Sequence, residues 1–269
     1  MTNLKSNFIQ HQSCDSCGSK DNVAVYDDGH TWCFGCNTYG KGDRTYEPTV
    51  KRDMKFIDGT IQGLSKRRIS EDTCRKWDYQ TGEYNGRKVQ IANYKNSSGS
   101  VVAQKLRMAN KQFLFIGDAS EAGLYGSHLW SEGGKRAVIT EGEIDALSVS
   151  QALGNQWPVF SVPTGASGAP NAVRKSIEML SKFDEVVILF DSDEAGSKAS
   201  KECAQLLPPG KAKIGHLPLK DANEMVVAGK TKELVTCLWQ AKPFRPDGII
   251  QGSDLWDLVS SEDVASSCK

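Results

Sequence analysis

Two pairs of cysteines near the N-terminus form the most specific motif in this sequence. Cys14 and Cys17 form the first pair, and Cys33 and Cys36 follow after fifteen intervening residues. Four thiolates with this spacing predict a tetrahedral structural zinc site, the pattern of a zinc ribbon. Four sulfur ligands leave no open position for water, so catalysis by this metal is not expected. Two disulfides, or cysteines that are only buried, are the alternative interpretations.

Three side chains shortly before the second cysteine pair would be held on a short, metal-stapled turn. They are Asp28, His30 and Trp32. Such a turn can present side chains to a partner, and the Trp32 ring could stack on an unpaired base or pack beneath the ribbon. His30 could instead be a packing residue or an unused potential ligand.

A second group of reactive side chains follows apolar runs in the C-terminal half. From Lys135 onward such runs alternate with helical patterns, which predicts a parallel α/β sheet flanked by helices. Ligands of these sheets bind beyond the carboxyl ends of the strands. The acidic residues found just after three of the runs are Glu141, Glu143, Asp145, Asp191, Asp193 and Asp221.

Carboxylates that converge at one edge of a sheet repel one another unless a cation compensates them. An all-oxygen ligand set favours Mg²⁺ or Mn²⁺ over zinc, so these residues predict a divalent-metal site. Any single one of them could instead be a helix cap or first-turn residue. For Glu143, and for Glu194 after the second run, that role is as good an interpretation as catalysis.

The region between these two groups must position them. Residues 40–53 are rich in glycine and charge and predict a linker. Ser70 is a good N-cap for a helix that carries Cys74 and Trp77 on one face. Two strands around Ile91 and Val102, separated by the turn signal NSSGS, predict a hairpin.

Lys105 and Arg107 fall on one face of the second hairpin strand, because side chains alternate with a period of two. Lys111 follows shortly afterwards. Residues 51–112 carry fourteen basic and six acidic side chains, although the whole chain has a net charge of zero. A basic segment beside an acidic domain suits a phosphate backbone near a divalent-metal site, and an ordinary solvated charged surface is the alternative.

Composition places the chain among cytoplasmic globular proteins. Its 269 residues, 39% of them hydrophobic, suffice for one sizeable core and a small satellite module. The remaining four cysteines show no pairing pattern, which fits a reducing compartment. No apolar run approaches the ~20 residues of a membrane span, and the N-terminus lacks a signal-peptide pattern, so no membrane partner is expected.

The acidic motifs carry a resemblance to a known family. TEGEID at 140–145 and FDSDEAG at 190–196 resemble the Toprim signature of bacterial-type primases, topoisomerases and certain nucleases. A zinc ribbon ahead of a Toprim domain further resembles the primase half of the T7-like, short-tailed-phage primase-helicases. The detailed match covers nearly the whole chain and includes DGHTWC, QKLRMANK, LWSEGGKRAVITEGEID and LPLKDANE.

The resemblance implies a Toprim-type α/β fold in five segments. These are a zinc-binding template-recognition domain at 1–42, a flexible linker at 43–60, a small basic α+β subdomain at 61–134, the Toprim subdomain at 135–246 and a connector at 247–269. The connector would contain a short amphipathic helix, SDLWDLVSS, and lead toward a helicase. The helicase motif GxxxxGK[ST] does not occur in this sequence.

The resemblance also implies roles for individual residues. Glu141, Asp191 and Asp193 would be catalytic. The magnesium ligands would be Glu141, Asp145, Asp191, Asp193 and Asp221. Nucleotide or template binding would fall to Lys105, Arg107, Lys111, His30 and Asp28.

The implied activity is that of a DNA primase, which synthesises short RNA primers on single-stranded DNA from ribonucleoside triphosphates. It would use one structural Zn²⁺ and one or two Mg²⁺ ions, with Mn²⁺ as a possible substitute. A replicative DNA polymerase and a helicase are the expected protein partners.

Two other classes compete with this interpretation. Topoisomerases use a nucleophilic tyrosine in a separate large domain, which a chain of this length does not supply. A RecR-like recombination mediator combines a four-cysteine zinc module with a Toprim domain and binds DNA without catalysis. Such mediators begin with a helix-hairpin-helix segment, for which the residues before Cys14 leave no room.

Overall fold

The computed structural model describes residues 8–41, 55–109, 112–118 and 123–245. The chain divides into two compact units, Met1–Lys55 and Phe56–Lys269. Lys111 and the predicted connector lie outside the described residues, as do residues 42–54 of the predicted linker region. In the described part of the chain, no helix is long and apolar enough to cross a membrane.

The first unit is a small antiparallel sheet with strand order β1-β2-β3-β4. Its strands are Phe8–Gln12 (β1), Val23–Tyr26 (β2), Thr31–Cys33 (β3) and Tyr39–Gly40 (β4). The buried residues at its centre are Cys14, Val23 and Cys33. Because this apolar core is so small, the unit needs a further source of stability, such as a metal ion.

The second unit begins with a helix and a four-stranded antiparallel sheet, β5-β6-β7-β8. The elements are Glu71–Trp77 (α1), Tyr79–Tyr84 (β5), Arg87–Lys95 (β6), Val101–Met108 (β7) and Phe113–Gly117 (β8). The N-cap prediction is confirmed, since Ser70 Oγ accepts a hydrogen bond from the Thr73 N–H at 3.2 Å. Cys74 and Trp77 are both fully buried, as their shared face predicts.

The predicted hairpin is also confirmed, because β6 pairs with β7 in antiparallel register. Asn96 Oδ1 accepts from the N–H groups of Ser98 and Ser100 and thereby closes the turn. The sequence patterns did not indicate the flanking strands β5 and β8. β5 pairs with β6 and β8 pairs with β7, so both depend on the hairpin for their backbone hydrogen bonds.

The larger sheet of the second unit has strand order β10-β9-β11-β12-β13. Its strands are Gly134–Thr140 (β9), Val159–Ser161 (β10), Phe183–Leu189 (β11), Ala212–Ile214 (β12) and Lys242–Pro243 (β13). Its helices are Glu143–Ala152 (α2), Gly165–Lys175 (α3), Ile177–Leu180 (α4), Glu194–Leu206 (α5), Ala222–Val227 (α6) and Thr231–Trp239 (α7).

The first four strands of this sheet are parallel, as predicted. The fifth strand is a correction to that prediction, because β13 pairs antiparallel with β12 at the edge of the sheet. β13 has only two residues, one of which is Pro243, so it is too short to be recognised in the sequence. An edge position tolerates proline because one side of the strand needs no hydrogen-bond donor.

Helices cover both faces of the parallel strands, which explains why those strands read as continuous apolar runs. Val138 and Val187 pack in one core cluster with Leu147 of α2. Ile139 and Ile188 pack in a second cluster with residues of α3 and α5. The central strands β9 and β11 are therefore rigid supports for the residues at their carboxyl ends.

Candidate active site

The carboxyl ends of β9 and β11 lie side by side, since Thr140 is paired in register with Leu189. Glu141 directly follows β9, and Asp191 follows β11 after one intervening residue. Both face a cavity of about 570 Å³ in the second unit. The charged residues that line the cavity are Arg67, Lys105, Arg107, Glu141, Glu143, Asp145, Asp191, Lys220, Asp221 and Glu224.

Glu141 has one satisfied and one unsatisfied carboxylate oxygen. Oε1 accepts a hydrogen bond from the Ala166 N–H, at the start of α3, at 3.2 Å. Oε2 is buried and has no hydrogen-bond partner among the described residues. Burial raises the pKa of Glu141, the backbone N–H groups of Ala166 and Asp191 act against this, and the charge of Asp193 adds to the increase. A buried carboxylate oxygen without a donor is suited to a cation ligand.

Asp145 and Asp191 are held in a strongly acidic environment. Burial, followed by the charge of Asp221, raises the pKa of Asp145 to about 8. Burial, followed by the charges of Glu141 and Asp221, raises the pKa of Asp191 to about 7. Such shifts show that the cluster is electrostatically unfavourable in its ionised form unless positive charge is added.

Asp145 and Asp221 are placed by the starts of two helices. Asp145 is the third residue of α2 and lies in its first turn, and its Oδ1 accepts from the Asn223 N–H at 3.0 Å. Asp221 is the N-cap of α6 and accepts from the Glu224 N–H at 2.7 Å. These contacts fix both side chains at the cavity.

Asp193 has a different position from the other predicted ligands. It is exposed, caps α5 and accepts a hydrogen bond from the Gly196 N–H at 2.8 Å. It does not line the cavity, but its charge contributes to the raised pKa of Glu141 and of Asp191. The structure therefore gives Asp193 a capping role and places it at the edge of the acidic cluster.

The carboxylates form an open cluster rather than a closed cage. Among the described residues, the only group of three or more potential metal ligands that lie within 4.8 Å of one another is the cysteine cluster. Mg²⁺ usually keeps several water ligands and binds through one or two carboxylates plus substrate phosphates. Glu141, Asp145 and Asp191 line one cavity, which suits an ion of that kind.

Basic residues bring positive charge to the same cavity. Arg107 of β7 lines it, as the alternation of side chains predicts, together with Lys105. Lys105 is only 8% exposed and forms an ion pair with Glu143, whereas we expected an available cation. Lys220 lies 4.0 Å from Asp191 through its Nζ.

Sequence reasoning missed Arg67 and Lys220 as cavity residues and gave Glu143 no defined partner. Lys220 directly precedes Asp221, so its position after a strand could have indicated it. Arg67 gave no signal, because it reaches the cavity from a single 3₁₀ turn, Ser65–Arg67, far away in sequence. Glu143 does occupy the first helical turn, which was one of its two interpretations.

The four cysteines of the first unit converge as their spacing predicts. The distance between Sγ atoms is 3.7 Å for Cys14 and Cys36 and 3.8 Å for Cys17 and Cys33. Burial tends to raise the pKa of Cys33, but N–H groups of Cys36 and Gly35 donate to its sulfur and lower the pKa to about 6. A hydrogen bond from Ser19 also lowers the pKa of Cys17, whereas the pKa of Cys14 is raised. Four converging sulfur atoms, two of them favoured as thiolates, are chemically suited to zinc.

The three side chains before the second cysteine pair form an aromatic and acidic surface on the first unit. Asp28 Oδ1 lies 2.5 Å from His30 Nδ1. The His30 ring stacks on Tyr26 with centroids 4.1 Å apart. Trp32 is half-buried, with its ring 6.5 Å from that of Tyr39. His30 is thus oriented by two neighbours and is not a fifth member of the cysteine cluster.

Two family descriptions match the second unit. Residues 59–117 match the family described as "Bacteriophage T7 DNA helicase/primase, N-terminal a+b fold". Residues 138–226 match a family described as "Toprim-like". The two matches coincide with the small antiparallel sheet and with most of the larger sheet.

Individual relatives extend the similarity to nearly the whole chain. The chain is 38% identical over 276 residues to the DNA helicase/primase of Enterobacteria phage T3, a match that covers 96% of this chain and 49% of that protein. The crystal structure of the primase fragment of the bacteriophage T7 primase-helicase is 37% identical, with a TM-score of 0.65, and covers 87% of this chain and 100% of that chain.

A third match is to a larger assembly that contains the T7 primase domain. A structure of the bacteriophage T7 lagging-strand DNA polymerase, with primase domains bound to an RNA/DNA hybrid and dTTP, matches at 40% identity and a TM-score of 0.66. That match covers 69% of this chain and 94% of the other. The chain spans about half the length of the phage T3 protein.

Proposed function

The chain belongs to the family of the bacteriophage T7 primase fragment, and from this premise we propose that it is a DNA primase. It would join ribonucleotides on a single-stranded DNA template by metal-dependent phosphoryl transfer. The observation that carries the proposal is the convergence of carboxylates and cations in one cavity of about 570 Å³. A metal–triphosphate complex, which has both positive and negative groups, requires such a mixed site.

The acidic residues would hold the metal ions. Glu141, Asp145, Asp191 and Asp221 line the cavity, and the unpartnered Oε2 of Glu141 is a ready ligand atom. When bound, Mg²⁺ would neutralise charge on the transferred phosphoryl group. Asp193 would contribute negative charge from the edge of the cluster.

The remaining cavity residues would bind and orient the nucleotides. Arg107 presents a guanidinium group suited to phosphate oxygens, and Lys105 adds an ammonium N–H. Lys111, which lies outside the described residues, would act on the nucleotide or the template as well. Glu141 would act as a metal ligand or as the base that takes the proton of the attacking hydroxyl group.

The first unit would select the template. A zinc ion bound by the four cysteines would fix the turn that carries Asp28 and His30, which would bind unpaired base edges by hydrogen bonds. The T7 primase domains bind an RNA/DNA hybrid beside a DNA polymerase, and we propose comparable partners here, including a helicase.

The direct test is primer synthesis by the purified full chain. It is incubated with Mg²⁺, labelled ribonucleotides and single-stranded DNA templates that differ in trinucleotide context. We expect short RNA products on a subset of templates and none with the Glu141→Gln variant. Glu194→Gln is the matched control, because Glu194 is exposed on α5 and does not line the cavity.

DNA binding without products on any template would contradict the proposal. That result would favour a RecR-like mediator, which binds DNA without catalysis. Products formed equally by the Glu141→Gln variant would place the chemistry elsewhere and would refute the assignment of this cavity.

A further inference from the structure

A buried ion pair joins the two sheets of the second unit beside the cavity. Nζ of Lys105, on β7, lies 2.8 Å from Oε1 of Glu143, on α2. The two residues are 8% and 5% exposed. Both also belong to the cavity lining. The pair therefore lies where the small antiparallel sheet meets the metal-binding edge of the larger sheet.

Each member of the pair is fixed by a further contact. The Tyr94 hydroxyl donates to the same Glu143 oxygen at 2.6 Å, and Tyr94 is itself buried. Lys105 also donates to the Pro163 carbonyl at 2.7 Å. Its Nζ lies 4.8 Å from the centre of the Phe113 ring. These contacts hold the ammonium group from several sides and leave it little freedom.

Stability alone does not account for this arrangement. The cost of removing two charges from water often equals or exceeds the attraction between them. A buried ion pair is therefore weak evidence for a purely stabilising role. What the ion pair adds is a definite position for an ammonium group, which has three N–H donors. Glu143 and Pro163 accept from two of these, and among the described residues the third has no hydrogen-bond acceptor.

We infer that Glu143 is a positioning residue that holds the Lys105 ammonium at the cavity so that it donates to a phosphate oxygen of the bound nucleoside triphosphate. The inference rests on the proposed function and deepens it. Glu143 thus differs from its neighbours Glu141 and Asp145, because it acts on the nucleotide through Lys105 and does not bind the metal. Tyr94 supports it by fixing the carboxylate.

The test compares nucleotide affinity with turnover. Binding of ATP with Mg²⁺ is measured by calorimetry, and KM and kcat are measured for dinucleotide synthesis. Glu143→Gln removes the charge but keeps the length of the side chain, whereas Glu143→Asp keeps the charge but shortens the reach. We expect both to raise Kd and KM about tenfold, since a charged hydrogen bond contributes about that factor, with kcat changed less than about threefold.

Two further variants separate positioning from general damage. Tyr94→Phe keeps the ion pair and should raise KM in the same direction by a smaller factor. Glu185→Gln is the matched control, because Glu185 accepts from Arg136 and Lys213 in an ion-pair network that does not line the cavity. It should leave KM unchanged. If Glu143→Gln does not fold, as judged by thermal unfolding, the Kd and KM values of Glu143→Asp and Tyr94→Phe test the inference.

Unchanged ATP affinity in the folded Glu143 variants would overturn the inference. It would also be overturned if Glu143→Gln weakened the binding of Mg²⁺ itself in calorimetry, since Glu143 would then be a metal ligand. If the unaltered chain bound ATP but made no product, the proposed function would fail while the affinities still decided the role of Glu143. No binding of ATP by the unaltered chain would refute the inference as well.

Discussion

Glu141 contacts Ala166 through only one of its two carboxylate oxygens. Oε1 accepts the Ala166 N–H at 3.2 Å, and the buried Oε2 has no hydrogen-bond partner in the parts of the chain that the structure describes. The contact orients the carboxylate by means of the first turn of α3 and leaves the second oxygen available. This relationship makes Glu141 the most informative residue to alter.

Glu141→Gln should abolish primer synthesis while DNA binding persists. The amide can still accept from Ala166, but it is a poor metal ligand and cannot act as a base. Loss of a metal contact worth several kcal/mol predicts a rate decrease of at least about 100-fold. The measurement is the initial rate of dinucleotide formation beside DNA affinity. A variant that loses DNA binding to the same degree would show that Glu141 has a structural role instead.

Folding stability without Mg²⁺ should decrease as the pH rises from about 4 to about 8. Asp145 has an ordinary pKa of 3.8 when unfolded and about 8 when folded, so the folded state retains its proton over this interval. Below pH 3.8 both states are protonated and there is no penalty. Above pH 8 the folded state must bury the full charge. Asp191, with a pKa of about 7, acts in the same direction.

Urea unfolding between pH 5 and 9, with and without Mg²⁺, measures this dependence. Mg²⁺ should flatten the slope, because it compensates the carboxylates and releases their protons. Asp145→Asn should flatten it without Mg²⁺ and should reduce the stabilisation that Mg²⁺ provides. A slope that neither Mg²⁺ nor the substitution changes would show that these carboxylates do not interact as described.

Cys36→Ser should release zinc and remove template selection while the second unit stays folded. Serine does not replace a thiolate as a zinc ligand, and the first unit has a core too small to fold securely without the metal. The two compact units allow the second to keep its own core. Zinc content, far-UV circular dichroism and product yield on different templates measure the three effects.

The control is Cys237→Ser, which alters a partly buried cysteine of α7 outside the cluster. It should keep the zinc content and the template preference. If Cys36→Ser still starts synthesis at the same template sites, the first unit is not the selecting element.

Gly196→Ala should disturb the acidic cluster by displacing the backbone near Asp191. A Cβ at position 196 would lie 2.3 Å from the carbonyl oxygen of Asp191, so the loop that carries Asp191 must shift. Displacements of this kind cost about 1–3 kcal/mol, and we expect lower thermal stability together with a lower rate. Gly123→Ala is the control, because its Cβ would meet nothing closer than 3.9 Å. If the two substitutions changed stability and rate equally, the close contact between position 196 and the Asp191 carbonyl would not be the cause.

Local patterns made several elements of this fold predictable. The Ser70 cap, the hairpin of β6 and β7 and the alternation of apolar strands with helices are each encoded within a few consecutive residues. The beginning of α3 was harder to predict from the sequence. Its first residues, GASGAP, favour a loop, yet burial of Ala169 and Val173 against the sheet makes them helical.

The cysteine cluster and the edge of the sheet at which the carboxylates gather were both predictable from local patterns. Close spacing holds the two thiolates of each pair together, and parallel strands align their carboxyl ends. The folded structure was needed to find that Lys105 pairs with Glu143, which is 38 residues away, and that Oε2 of Glu141 has no partner among the described residues. Such contacts depend on how β7 packs against α2 and α3, and no periodicity within either segment specifies that packing.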